Sequence, residues 1–325
     1  MFQKTEWEIP PQAQPRPDDF GFNLDEALRS VVTVRSSVPG DAFTAGTLGT
    51  DRAGSGVVIR TSGLILTVGY LITEAETIWL GTSDGRAIQG HALCHDPETG
   101  FGLIQALGKL DLPALKLGHS RDVKLGDPVI LAAGGGRRHA IRATVMARQE
   151  FAGYWEYLIE DALFTVPAHP FWGGAPLIGG TGEVLGIGSL HIQQSTAENP
   201  KTNVNMVVPV DLLHPALDDL LTYGRRNHPP RPWLGVYTNE QDGRVIVTGL
   251  ADNGPADAAG VRVGDVIRAI KDEPIPNLGT FYRKLWGCGQ AGILIPLELV
   301  RDGKHLIVGV RSTDRGALLK APRLH

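Results

Sequence analysis

Nucleophilic catalysis needs a hydroxyl or thiol beside an imidazole, and one stretch of this chain nearly supplies the pair. His169 opens the run His169-Pro170-Phe171-Trp172-Gly173-Gly174-Ala175-Pro176-Leu177, and Thr165 and Tyr70 carry hydroxyls elsewhere. The run itself holds no Ser or Cys, so the nucleophile would have to be imported. A second cluster, His91, Cys94 and His95, offers soft and imidazole ligands close together. It reads as a strand end, where His91 and Cys94 face opposite sides, so ordinary packing and no metal are expected. Gly134-Gly135-Gly136 precedes Arg137, but no lysine–hydroxyl pair follows it. A flexible turn is the expectation there, and no cofactor.

The chain that must position these groups has 325 residues, enough for one domain of about 200 residues and one of about 100. Its 41 glycines and 22 prolines favour short strands and tight turns over helical bundles. Net charge is −4 with both signs interspersed, which excludes the basic stripe that nucleic acid requires. Cys94 and Cys288 fall in different predicted domains, so no disulfide framework is indicated. No run approaches the roughly 20 apolar residues of a membrane span. The first 17 residues lack a signal-like apolar stretch, and a cytoplasmic protein is expected.

Residues 1–22 read as a flexible tail, because Pro10, Pro11, Pro15 and Pro17 oppose regular structure. Asn23 with Glu26 has the spacing of a capping box and predicts a short helix over residues 24–30. From residue 31 to 208, short apolar runs alternate with glycine-marked turns. Val57-Val58-Ile59, Leu64-Ile65-Leu66, Thr77-Ile78-Trp79-Leu80, Leu103-Ile104 and Val129-Ile130-Leu131 are the clearest strands. That spacing without intervening helices predicts an all-β barrel or sandwich. Leucines at helical spacing predict a closing helix over residues 210–223, stopped by Gly224. A proline-dense linker covers residues 227–232. Residues 233–312 carry their own strands and two candidate helices, near 256–259 and 278–286, the second capped by Asn277. Residues 313–325 read as a basic tail.

Several segments in order resemble the HtrA family, in which a trypsin-like double β-barrel precedes an α+β PDZ domain. They are Gly54-Ser55-Gly56-Val57-Val58-Ile59, Gly63-Leu64-Ile65-Leu66-Thr67, Ser83-Asp84-Gly85-Arg86, Leu112-Pro113-Ala114-Leu115-Lys116-Leu117-Gly118 and Gly182-Glu183-Val184-Leu185-Gly186-Ile187. The resemblance implies a mainly β chain with a protease-homology domain over residues 23–226 and a PDZ domain over 233–312. It also locates three catalytic positions. The general base of a Leu-Thr-Asn-Asn-His motif falls on Tyr70, within Leu66-Thr67-Val68-Gly69-Tyr70. Tyrosine titrates near 10 and is a poor proton acceptor at neutrality. The orienting aspartate, which follows an Asp-Pro-x-Thr turn, falls on Gly100 after Asp96-Pro97-Glu98-Thr99, and the serine falls on Gly173.

In a subtilisin-type triad, removing all three groups costs about a million-fold in turnover. The expectation is therefore a catalytically inactive pseudoprotease with no catalytic residue. Phe171 and Trp172 would fill the old cleft or cap the barrel interface. An active serine-type endopeptidase using non-standard residues, with Tyr70 or His169 involved, is the alternative; a regulator of an active homologue is another.

The C-terminal segment keeps closer to its family. Trp233-Leu234-Gly235-Val236 resembles the carboxylate-binding loop, and Gly254-Pro255-Ala256 through Val266-Ile267 resembles the helix and turn that follow. The resemblance implies that Trp233, Leu234, Gly235, Val236, Phe281 and Leu285 bind polypeptides or protein C-termini with an apolar last residue. It also implies a possible homotrimer, with Phe2, Trp7, Phe20 and Phe22 as candidate contacts.

Overall fold

The structure is a computed structural model that describes residues 7–194 and 201–320. It separates into two compact units. One comprises Met1–Gln149, Asp161–Arg226 and Lys320–His325; the other comprises Glu150–Glu160 and Asn227–Leu319.

The first unit holds two closed barrels. Val31–Ser37 (β1), Asp51–Arg60 (β2), Leu64–Val68 (β3), Thr77–Gly81 (β4), Ala87–His95 (β5) and Phe101–Ala106 (β6) close in the order β1-β2-β3-β6-β5-β4. Pro128–Ala132 (β7), Ala140–Gly153 (β8), Tyr157–Val166 (β9), Pro176–Ile178 (β10), Val184–Gln194 (β11) and Thr202–Pro209 (β12) close in the order β10-β11-β12-β9-β8-β7. Alternation sends Val34, Val58, Ile65, Leu80 and Ile104 into the first barrel, all 1% exposed or less. In β10, Leu177 faces Leu131 on one side and Gly186 on the other. This pairing fixes where the preceding glycine turn must end.

The chain before the first barrel is not free. Ile9 is 1% exposed and joins the core of the second barrel, with its N–H on the Arg138 carbonyl at 2.8 Å. The prolines shape two single turns, Pro11–Ala13 and Pro17–Asp19, in place of leaving the segment shapeless. The expected flexible tail is thus corrected from Trp7 onward; Phe2 lies outside the described residues. The helix Leu24–Arg29 (α1) starts as anticipated, with the Asn23 side chain accepting from Glu26 N–H at 3.1 Å. A four-residue helix, Ala45–Leu48 (α2), was not anticipated. The expected helix over 210–223 is broken into a turn, Val210–Leu212, and Leu217–Tyr223 (α3). Pro215 lies between them and cannot donate to a continuous helix.

The second unit is a six-stranded sheet with two helices. Val236–Gln241 (β13), Arg244–Leu250 (β14), Val266–Ile270 (β15), Leu294–Arg301 (β17) and Lys304–Arg311 (β18) follow that order, and Glu273–Pro274 (β16) pairs β15. The helices are Pro255–Ala258 (α4) and Leu278–Gly287 (α5), the latter capped by Asn277, which accepts from Thr280 N–H at 2.8 Å. Leu158, from the start of β9, sits in this unit's buried cluster with Leu234, Phe281 and Leu285. The expected C-terminal tail is partly ordered as well: Thr313 bridges Trp233, and Arg315–Leu318 forms a turn. No described helix is long and apolar enough to cross a membrane.

Candidate active-site cleft and carboxylate loop

Backbone contact between the two barrels builds the first site. Ser55 N–H on β2 donates to the Gly173 carbonyl at 2.8 Å, and Gly134 N–H donates to Ser55 Oγ at 3.1 Å. Gly174 has φ +75°, and a Cβ there would run into the Ser55 carbonyl, so this turn tolerates only glycine. Around it lies a cavity of about 390 Å³ lined by Ser55, Tyr70, His139, Phe171, Trp172 and Gly173, among others.

The three positions implied for a triad can now be placed. Tyr70 sits on the turn Gly69–Leu71, which Arg52 Nη1 braces through the carbonyls of Tyr70 (2.8 Å) and Thr73 (2.9 Å). Its hydroxyl donates to the Ser189 carbonyl at 3.1 Å, and burial pushes its pKa well up, so it cannot accept a proton near neutrality. A Cβ on Gly173 would come within 2.8 Å of that hydroxyl. The tyrosine oxygen therefore occupies the space beside Gly173. Gly100 contributes backbone only: its carbonyl accepts from Gly69 N–H at 2.6 Å. The nearby Asp96 is turned to other work. It is 1% exposed and accepts from Arg226 Nη2 (2.9 Å) and Thr99 Oγ1 (2.6 Å). Burial would raise the Asp96 carboxyl, but these partners outweigh it and hold the group below its ordinary range.

His169, the imidazole singled out from sequence, is fully buried. Its Nδ1 accepts from Phe171 N–H at 2.9 Å and its Nε2 donates to the His139 carbonyl at 2.9 Å. Burial pushes its pKa down to about 4, so it is a neutral strut, not a base. Thr165 is equally buried, on β9. Phe171 is 46% exposed at the cleft, packed edge-on to Trp7 with ring centroids 5.0 Å apart, and Trp172 stacks on His191 at 5.2 Å.

The imidazole that sequence reading passed over is His139. It lines the cleft, and its Nδ1 lies 3.3 Å from the Gly135 carbonyl, which makes Nδ1 the protonated nitrogen. Its Nε2 is buried without a hydrogen-bond partner, so the lone pair is uncommitted. The triple glycine before it gave the only hint: Gly135 has φ +127°, and a Cβ there would collide with the His139 ring.

Burial along β5 alternates, with Cys94 inward and His91 and His95 partly exposed. Burial, then the Asp96 charge, pushes the Cys94 thiol up to about 12. A different trio, His119, Asp211 and His214, does converge. Its atoms are already engaged: His119 Nδ1 contacts Asp211 Oδ1 (3.1 Å) and Arg121 Nη2 (3.3 Å), and His214 Nε2 meets the Gly118 carbonyl (2.8 Å). Ninety-odd residues separate His119 from Asp211, so no local motif reveals the group.

The second site is the loop ahead of β13. Gly235 adopts φ +76°, which turns successive N–H groups inward. The N–H groups of Leu234 (3.1 and 3.2 Å), Gly235 (2.7 Å) and Val236 (3.1 Å) all donate to the carboxylate of Glu156. Trp233, Leu234, Val236, Phe281 and Leu285 are all buried, so the residues expected to line an open groove line a filled one. Sequence reading missed Glu156, which lies about 80 residues upstream between β8 and β9.

Comparison with known proteins agrees with this layout. A trypsin-like peptidase domain family matches residues 54–187, and a PDZ domain family matches residues 232–311. A probable periplasmic serine endoprotease, DegP-like, of Pseudomonas fluorescens is 31% identical over 77% of the chain and 54% of its own length. Its counterpart in Pseudomonas putida strain W619 is 29% identical over 77% of the chain and 53% of its own length. The chain thus spans about half the length of the curated relatives it matches. Among solved structures, an HtrA-type protease, AlgW, with a decapeptide superposes with a TM-score of 0.54 at 21% identity, covering 92% of this chain and 98% of that one.

Two expectations are corrected by these matches. Proteins named as serine endoproteases are what the chain resembles, so the catalytically inactive reading is overturned and the endopeptidase alternative fits better. The inactive reading rested on three vacant positions and weighed His169, Thr165 and Tyr70 as replacements, but neither His139 nor Ser55. The same relatives are named periplasmic, which overturns the cytoplasmic expectation; the residues after Met1 do not decide a compartment.

Proposed function

Because the chain belongs to the HtrA family of trypsin-like serine proteases carrying a PDZ domain, we propose that it is a periplasmic endopeptidase of that class acting on polypeptides through non-standard residues. Tyr70, Gly100 and Gly173 supply none of the chemistry in this reading. The observation that carries it is the uncommitted Nε2 of His139, in a cleft that Ser55 also lines; the Ser55 oxygen accepts from Gly134 N–H, and the two side chains share no hydrogen bond in this structure. His139 takes the part of general base, its tautomer set by the Gly135 carbonyl as a carboxylate sets it in a triad. Ser55 takes the part of nucleophile. His169 is a positioning residue, because its Nε2 holds the His139 backbone.

Casein hydrolysis by the full chain tests this, together with a fluorophosphonate probe for activated serine. Cleavage above background, probe attached at Ser55, and loss of both in Ser55→Ala and His139→Ala are expected. Absence of cleavage and of label in the wild type would sink the assignment.

The PDZ unit recruits the polypeptide by its C-terminus in the same reading, supported by the convergent N–H groups of residues 234–236 and by the peptide carried in the AlgW structure. Self-association as a trimer belongs to the family analogy. Of the aromatics expected to build it, Trp7 packs on Phe171 and Phe20 on Phe22 at 5.6 Å; Phe2 lies outside the described residues. Light scattering at micromolar protein reads the mass directly.

A further inference from the structure

A peptide bound to a PDZ domain offers three things: a terminal carboxylate for the loop, main-chain groups for the adjacent strand, and an apolar side chain for the groove. In this unit all three come from the chain's own segment Glu150–Glu160. Glu156 presents its carboxylate to three successive N–H groups, with four contacts between 2.7 and 3.2 Å. The Tyr154 carbonyl accepts from Thr238 N–H of β13 at 2.9 Å, a main-chain bond of the kind a docked strand makes. Leu158 is 8% exposed and shares the apolar cluster of Phe281 and Leu285.

The tip is fastened on the helix side as well. Tyr282 of α5 donates to the Gly153 carbonyl at 2.6 Å, while its oxygen accepts from Glu156 N–H at 3.3 Å. Arg315, half-buried, adds charge attraction to the Glu156 carboxylate. A carboxyl group this deeply placed is tolerated because backbone donors satisfy its oxygens. Those are the donors a peptide terminus would need.

We propose that Glu156 is the internal ligand of the PDZ unit, so that a protein C-terminus binds only by displacing the carboxylate and the tip that carries it. The proposal rests on the polypeptide-binding reading above. An intramolecular competitor acts at high effective concentration and lowers apparent peptide affinity by the fraction of time the loop stands open. Removing the carboxylate leaves three N–H groups without their acceptor and lifts that penalty.

The test uses the full chain as wild type, Glu156→Gln and Glu156→Ala. Each is titrated with fluorescein-labelled decapeptides ending in Val, Leu or Phe, as free acids and as amides. Free acids should bind Glu156→Ala at least about tenfold more tightly than wild type, with Glu156→Gln between them and the amides weak throughout. Glu156→Gln keeps the shape of the tip and guards against misfolding of the alanine variant, and amide exchange at residues 234–236 should quicken in both. Equal affinity for all three proteins would overturn the internal-ligand proposal and leave peptide binding standing. No binding to any of them would overturn the peptide-binding reading and the proposal with it.

Discussion

The Tyr70 hydroxyl lies 2.8 Å from the point where a Cβ on Gly173 would project. The two positions are therefore coupled: a tyrosine on the Gly69–Leu71 turn requires the smallest residue in the facing loop. Gly173→Ser should destabilise the barrel unit by about 1–2 kcal/mol through overpacking. Adding Tyr70→Phe should recover part of that loss, since the next ring atom is 3.7 Å away. Urea unfolding of the single and double variants measures the coupling; additivity would mean the loop moves aside freely.

Glu156 sets a pH dependence for the C-terminal unit. Burial lifts its carboxyl from 4.5 to about 7, against the pull of the three N–H groups and Arg315. Between those values the folded protein holds a proton that the unfolded chain has released. Stability of this unit should fall as pH rises from about 4.5 to 7 and level off above. The groups facing it, Tyr282, Arg315 and the loop amides, do not titrate in that range. Glu156→Gln should flatten the profile. A peptide terminus has a pKa of about 3.5 and stays charged at pH 6. Displacing Glu156 into water releases the proton that burial holds, so free-acid peptides should bind the wild type more weakly at pH 6 than at pH 8, and Glu156→Gln should lose that dependence.

His169 gives the opposite slope in the barrel unit. Its folded pKa of about 4 lies below its ordinary 6.5, so the unfolded chain binds the extra proton between them. Stability should be full above pH 6.5 and decline as pH falls toward 4. His169→Ala should remove that decline and cost about 2–4 kcal/mol, because the Phe171 N–H and the His139 carbonyl each lose a partner. Hydrogen exchange resolved by residue separates the two units' responses.

Arg226→Ala should be among the most damaging single changes outside the cleft. It strips the guanidinium from Asp96, which is 1% exposed, and breaking such a pair costs about 3–5 kcal/mol. The wild-type carboxyl is held low, so the stability it contributes is lost only in strong acid. The variant should show a lower urea midpoint at pH 7, with the difference from wild type shrinking as Asp96 protonates.

Strand-forming runs were legible because alternation is local: Leu64-Ile65-Leu66 and Val129-Ile130-Leu131 fall inside β3 and β7. Asn23 and Asn277 announced their helices for the same reason, each cap being completed three residues on. Positions Tyr70 and Gly173 were legible as neighbours only through family resemblance, and the structure brings them together. What stayed hidden is what depends on distant partners. His169 has the residue type of a base, but two buried hydrogen bonds make it a strut. His139 looks like a surface-turn residue until the Gly135 backbone pins its ring. Ile9 lies among prolines, and only the second barrel's core explains its burial. Glu156 meets Gly235 from 79 positions away.

The segment Glu150–Glu160 is encoded inside the barrel half of the gene yet completes the interior of the other half. Cutting the chain at the proline-rich stretch would yield a C-terminal fragment missing Leu158 from its apolar centre and Glu156 from its anion seat. Such a fragment would expose a vacant, sticky slot and report ligand affinities that the intact polypeptide does not possess.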